Sequence, residues 1–168
     1  MKTLIVCYSL TGKTKQLCTV MKRNLGASIS FVAEAKPRSL FSAYAFGALA
    51  ARTRKAALIK PLDVDISEYN QIIVASPIWA GFPAPAINDF LRQYDLEGKR
   101  IYGFLTYSGN PGGADKALEE DITASGAKFK DILMLKTSRE SIRAIRGGRL
   151  QFGFDEAGLL QLVKGTTE

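Results

Sequence analysis

The chain has 168 residues, with 23 Lys and Arg against 16 Asp and Glu, a net charge of +7 and no histidine. That length fits a single domain, residues 1–168, able to bury a core without disulfides or a metal. The missing histidine excludes a histidine-triad hydrolase and argues against zinc chemistry, while 46 % hydrophobic and 23 % charged residues argue against disorder.

In chain order, Thr3-Leu4-Ile5-Val6-Cys7-Tyr8 is a β-rich run that ends in a Ser/Thr/Gly cluster, a buried strand followed by a turn. Thr14 to Leu25 places Leu17, Met21 and Leu25 on one helical stripe, which Gly26 ends. Ile29 to Val32 is a second strand, so the first thirty or so residues form a βαβ unit. Leu40 to Leu49 brings Phe41, Tyr44, Ala45, Ala48 and Leu49 to one helical face. It reads as the second crossover helix, with a lid or a contact to a second copy in a homodimer as the alternative.

Gln71-Ile72-Ile73-Val74-Ala75 is continuously apolar, as a strand covered on both faces must be. Its loop, Ser76 to Pro83, leads to a helix with Ile87, Phe90, Leu91 and Tyr94 on one side. Ile101 to Leu105 is the fourth strand, Ala114 to Ala124 a helix, and Ile132 to Leu135 the fifth strand. Leu159, Leu162 and Val163 suggest a terminal helix from about Asp155 to Lys164, with Gly147-Gly148 as the flexible point before it. This alternation predicts an α/β fold with a mainly parallel sheet and helices on both faces. The apolar start is too short for a signal peptide and no run is long enough for a membrane span. The cytoplasm is therefore the expected compartment.

Ligands of open parallel sheets sit outside the carboxyl ends of the strands. Ser9-Leu10-Thr11-Gly12-Lys13-Thr14 offers hydroxyls and free N–H groups at a helix start, a phosphate site in waiting or simply a hydroxyl-rich cap. A Walker A loop is excluded, because Cys7 occupies its first glycine position. A Cys-x5-Arg phosphatase loop would begin at Cys7, but Lys13 stands where the arginine should be. The second loop, Ser76-Pro77-Ile78-Trp79-Ala80-Gly81-Phe82-Pro83, carries the single tryptophan, which can cover a flat ring or pack on a neighbouring helix. The third, Thr106-Tyr107-Ser108-Gly109-Asn110-Pro111-Gly112-Gly113, adds an aromatic ring and glycines that allow close backbone approach.

At these residues the chain resembles the flavodoxin-like FMN-binding family, over Met1 to about Leu135. The resemblance implies a three-layer sandwich whose five-stranded parallel sheet has the order 2-1-3-4-5. It implies FMN as a non-covalent cofactor, with Ser9, Leu10, Thr11, Gly12, Lys13 and Thr14 around its phosphate. Pro77, Ile78, Trp79, Ala80 and Gly81 would lie along one side of the flavin, and Tyr107, Ser108, Gly109 and Gly113 along the other. Gly81 and its neighbours would contact flavin N5.

Electron-carrier members are typically acidic, so the charge of +7 shifts weight toward oxidoreductase relatives. The expected function is electron transfer through FMN, either as an NAD(P)H-linked oxidoreductase or as a carrier serving an acidic redox partner. Basic residues cluster at Lys36, Arg38, Arg52, Arg54, Lys55 and Lys60, and again at Lys136, Arg139, Arg143, Arg146 and Arg149. In the reductase version Arg139, Arg143 and Arg146 would meet a nucleotide phosphate. No exposed aromatic is expected to be interleaved with these clusters, which argues against nucleic acid. The alternatives are a phosphate-ester hydrolase using Cys7 and a non-redox binding module on the same fold.

Overall fold

The computed structural model describes residues 2–36 and 58–165. Strand β1 (Thr3–Cys7) leads through helix α1 (Lys13–Leu25) to β2 (Ser28–Phe31). A 3-10 turn at Ile66–Glu68 precedes β3 (Gln71–Trp79), which folds back into the two-residue strand β4 (Phe82–Pro83). Then come α2 (Pro85–Gln93), β5 (Arg100–Tyr107), α3 (Ala114–Ala124) and β6 (Lys128–Lys136). Helix α4 (Arg139–Arg146) and a hairpin, β7 (Leu150–Phe154) and β8 (Leu160–Lys164), complete the described chain.

The sheet runs β2-β1-β3-β5-β6 with every neighbour parallel, and β4 pairs antiparallel with the end of β3. Counted over the parallel strands alone, this is the 2-1-3-4-5 order expected from the sequence. Alternation along the strands splits the core in two. Leu4, Val6, Ile72, Val74, Ile101 and Leu105 pack on one face with Ile87 and Phe90 of α2 and Leu118 and Ile122 of α3. Ile5, Cys7, Ile73, Ala75, Tyr102 and Phe104 pack on the other, against Leu17, Cys18 and Met21 of α1 and Ile145 of α4.

Two expectations are corrected. The strand expected over Ile132 to Leu135 spans Lys128–Lys136; it lies at the sheet edge, where Lys128 and Lys130 stay in water and hide the strand behind a polar start. The helix expected from Asp155 to Lys164 is instead the second half of the β7–β8 hairpin. Leu159 and Val163, read as inward-facing, are exposed, and the buried residues are Phe152 and Leu160. Asp155 and Gly158 make the turn. The Asp155 carboxylate accepts from the Leu159 N–H at 2.8 Å, and Gly158 takes φ +77°. Ring contacts of Phe152 with Phe104 (5.4 Å) and Phe154 with Tyr102 (5.1 Å) hold the hairpin on the sheet. These are long-range contacts, which override a short helical spacing.

The Leu40–Leu49 segment, and Arg38, Arg52, Arg54 and Lys55 of the first basic cluster, lie outside the described residues. On either side of that stretch the chain is pinned by an antiparallel bridge between Glu34 and Ile59. The buried Asp89 carboxylate of α2 accepts from the Ile59 N–H at 3.0 Å.

Candidate functional site

The carboxyl ends of β1, β3 and β5 open into one crevice of about 360 Å³, a volume in the range of small-molecule sites. The first loop contributes Leu10, Thr11, Lys13 and Thr14, and the second Pro77, Ile78, Trp79 and Ala80. The third contributes Tyr107, Ser108, Gly109 and Asn110, and Thr106 and Thr137 complete the wall. Among the described residues its only formally charged lining residue is Lys13, and none of them presents a carboxylate to it.

The first loop ends at Gly12, whose φ of +83° is a left-handed cap that a side chain would strain. Gly12 has no side chain to fold over the helix end, and no side-chain cap bond is made there. The N–H groups of the first turn are therefore left for an external acceptor, and the helix dipole adds a partial positive charge. The Ser9 hydroxyl is enclosed and has no hydrogen-bond partner. A buried hydroxyl without a partner is costly unless a bound group supplies one. Thr14 turns inward instead, and its hydroxyl meets that of Thr106 at 2.8 Å, tying the first turn of α1 to the end of β5.

The expected loop from Ser76 is in fact strand as far as Trp79, because β3 continues into the antiparallel pair Trp79–Phe82. Ser76 is a strut within it: its hydroxyl donates to the Pro77 carbonyl and accepts from the Ala84 N–H, both at 2.9 Å. Trp79 stands edge-on to Tyr8, with ring centroids 5.8 Å apart and planes at 75°. Trp79 thus packs against the core while it also lines the crevice. Ala80, with φ +50°, sits at the tip of the turn. Gly81 is turned away from the crevice and faces Gly112 of the third loop.

Of the residues singled out from the sequence, Ser9, Gly12, Gly81 and Gly113 support the wall rather than line it. Gly12 and Gly113 precede α1 and α3. Thr137 is a lining residue that the sequence reading missed, and Thr106 and Asn110, read only as members of the third loop, line the crevice as well. Thr106, expected in the loop, belongs to β5, and its hydroxyl meets that of Thr14, 92 positions earlier. Thr137 follows the edge strand and bonds to the Tyr107 carbonyl through its N–H (2.7 Å) and its hydroxyl (3.1 Å).

Cys7 has no exposed surface and packs beneath α1, so it does not reach the crevice and cannot serve as a nucleophile there. Burial, then a hydrogen bond and charge interaction with Cys7, push the Cys18 thiol well above its ordinary value. Both thiols are buried and out of reach of solvent. No group of three or more His, Cys, Asp or Glu among the described residues could hold a metal ion. No described helix is long and apolar enough to cross a membrane.

The family model for flavodoxin matches residues 48–144, more than half of the chain. The chain belongs to the flavodoxin family. The match includes the second and third loops of the crevice, while the first loop at Ser9–Thr14 precedes it. No curated protein matches the sequence. Among solved structures, the chain is similar to a flavoprotein in complex with FMN from Lactobacillus acidophilus NCFM. That likeness has 22 % identity and a TM-score of 0.69, over 79 % of this chain and 92 % of that one. Oxidised flavodoxin 2 from Bacillus cereus is similar at 18 % identity and a TM-score of 0.55, over 88 % and 94 % of the two chains. General stress protein 14 in complex with FMN from Treponema denticola matches at 12 % identity and a TM-score of 0.54, over 88 % and 92 %. At such identities the likeness is one of fold, and it agrees with membership of the flavodoxin family.

Proposed function

We propose that this chain is a redox protein that holds FMN non-covalently in the crevice and exchanges electrons with NAD(P)H or with an acidic redox protein. One observation carries the reading. The enclosed, unpartnered Ser9 hydroxyl precedes a helix start without a side-chain cap, behind the wall of a crevice that Trp79 also lines. The residues present fit the cofactor at both ends. The first-turn N–H groups of α1, with Ser9, Thr11 and Lys13, would hold the monophosphate. Trp79, Pro77, Ile78 and Ala80 would flank the ring on one side, and Tyr107, Ser108 and Gly109 on the other.

When bound, the flavin supplies hydride and one-electron chemistry, and the protein supplies position and electrostatics. Lys13 and the positive helix end favour negative charge in the crevice, and among the described residues no lining carboxylate opposes them. No side chain is needed as an acid or base, in keeping with a chain that has no histidine. The two FMN-complexed structures of the same fold add support by analogy alone.

The test is a titration of the purified protein with FMN and with riboflavin, followed by anaerobic mixing with NADH and NADPH. Each hydrogen bond to a charged phosphate is worth about 1.5–3 kcal/mol, so FMN should bind about a hundredfold or more tighter than riboflavin. Equal binding of the two would remove the phosphate cradle, and binding of neither would remove the flavin. Rapid bleaching by a pyridine nucleotide selects the reductase, and bleaching only by a reduced partner protein selects the carrier.

A further inference from the structure

Helix α4 leaves the crevice wall carrying a row of cations. Thr137 lines the crevice, and Ser138 caps the helix in a reciprocal box with Ser141, so Arg139 begins two residues from the wall. Arg139, Arg143 and Arg146 fall at i, i+4 and i+7 on one side and are all exposed, while Ile145 is buried. The exposed Lys136 extends the row toward the crevice. Among the described residues none of these cations forms an ion pair, unlike Lys2, which pairs with Glu68. The single acid on α4, Glu140, faces the open hollow between the helix and the hairpin, with Ser141 and Arg149.

Helix stability does not account for this row. Like charges one turn apart repel. Arg143 and Arg146 suit the helix dipole in the last turn, but Arg139 at the amino end opposes it. The stems of Arg139 and Arg146 are spread over about 10 Å of helix. A nucleotide phosphate calls for donors that converge on one point, whereas a spread row complements an extended acidic surface. No described aromatic ring stands on the row to stack bases.

We propose that Lys136, Arg139, Arg143 and Arg146 form a docking surface for an acidic protein, which seats it beside the crevice. That the seated protein is an electron partner rests on the FMN reading; the docking itself is tested apart from it.

The experiment measures binding of the FMN-loaded protein to a plant-type [2Fe–2S] ferredoxin, used as a small acidic redox probe, at low and at physiological salt. Binding should weaken by about tenfold or more with added salt. It should weaken at least as much in R139E/R143E/R146E, with R139Q/R143Q/R146Q between the two. A control reversal of two charges, K128E/K130E, at the far end of β6 and about 20–26 Å from Lys136, should leave affinity within about twofold. Circular dichroism and FMN titration of each variant read folding and cofactor binding separately. Loss of FMN uptake in the wild type with docking intact would sink the flavin reading alone. Salt-insensitive binding, no binding, or equal losses in the two charge reversals would overturn the docking surface. So would a variant-sensitive grip on a DNA duplex without any on ferredoxin, which would mark the row as a nucleic-acid contact.

Discussion

Gly81 and Gly112 meet back to back behind the crevice: a Cβ on Gly112 would stand 2.7 Å from the Cα of Gly81, closer than side chains approach a backbone. Both residues also have positive φ, +83° and +58°. The turn that carries Trp79 is thereby pressed against the third loop, and the crevice keeps its width because neither residue has a side chain. Gly112→Ala should cost about 1–3 kcal/mol in urea denaturation from backbone strain alone, and should lower FMN affinity by separating the two loops. Gly113→Ala next door has open space and a negative φ. It should stay within about 0.5 kcal/mol of the wild type.

Thr14 and Thr106 satisfy each other's hydroxyls in a buried bond. Thr14→Val leaves the Thr106 hydroxyl without its partner and should cost about 1–3 kcal/mol. Replacing both by valine should recover part of that loss. A double-mutant cycle in denaturant measures the coupling, and additive single effects would show that the bond contributes nothing.

Trp79 makes a T-shaped contact with Tyr8 and has a place in the crevice wall. Trp79→Ala should remove an aromatic contact worth about 0.5–1.5 kcal/mol in the folded protein. It should also weaken FMN by about tenfold, equal to 1.4 kcal/mol, and reduce quenching of flavin fluorescence. Trp79→Phe should retain most of both. Unchanged FMN affinity in the alanine variant would place the ring elsewhere.

The buried Cys18 thiol makes stability depend on alkaline pH. Its folded value is raised above the ordinary 9.0, by burial first and then by Cys7. The folded state therefore holds its proton where the unfolded state releases it. The contribution is complete below about pH 9 and declines as pH rises from the unfolded value toward the folded one. Urea midpoints should fall between pH 8 and pH 10.5, and Cys18→Ala should flatten part of that fall. Neither cysteine should react with a thiol reagent until the protein is unfolded, since both are buried. Fast native labelling would contradict the packing.

Phe152 anchors the hairpin through Phe104 and is almost fully buried. Phe152→Ala should cost about 3–5 kcal/mol, whereas Leu159→Ala on the exposed turn should cost about 0.5 kcal/mol or less. Similar losses for the two would favour the helical reading of this segment over the hairpin.

The apolar runs at Leu4–Cys7, Ile72–Ala75 and Ile101–Leu105 and the helical stripes between them determined a parallel sheet covered on both faces. Buried strands and amphipathic helices have local periods that survive in one dimension. Ser9–Thr14 and Trp79 pointed to the crevice for a similar reason, since loop chemistry at a strand end is local. Only the tertiary structure decided the rest. Thr106, Asn110 and Thr137 enter the wall because distant strand ends meet there, and Gly81 stands behind it because Gly112 does. The closing segment pairs as a hairpin because Tyr102 and Phe104 present rings to Phe154 and Phe152. Those partners lie about fifty residues away, and the energy of such contacts outweighs a spacing that, read alone, suits a helix.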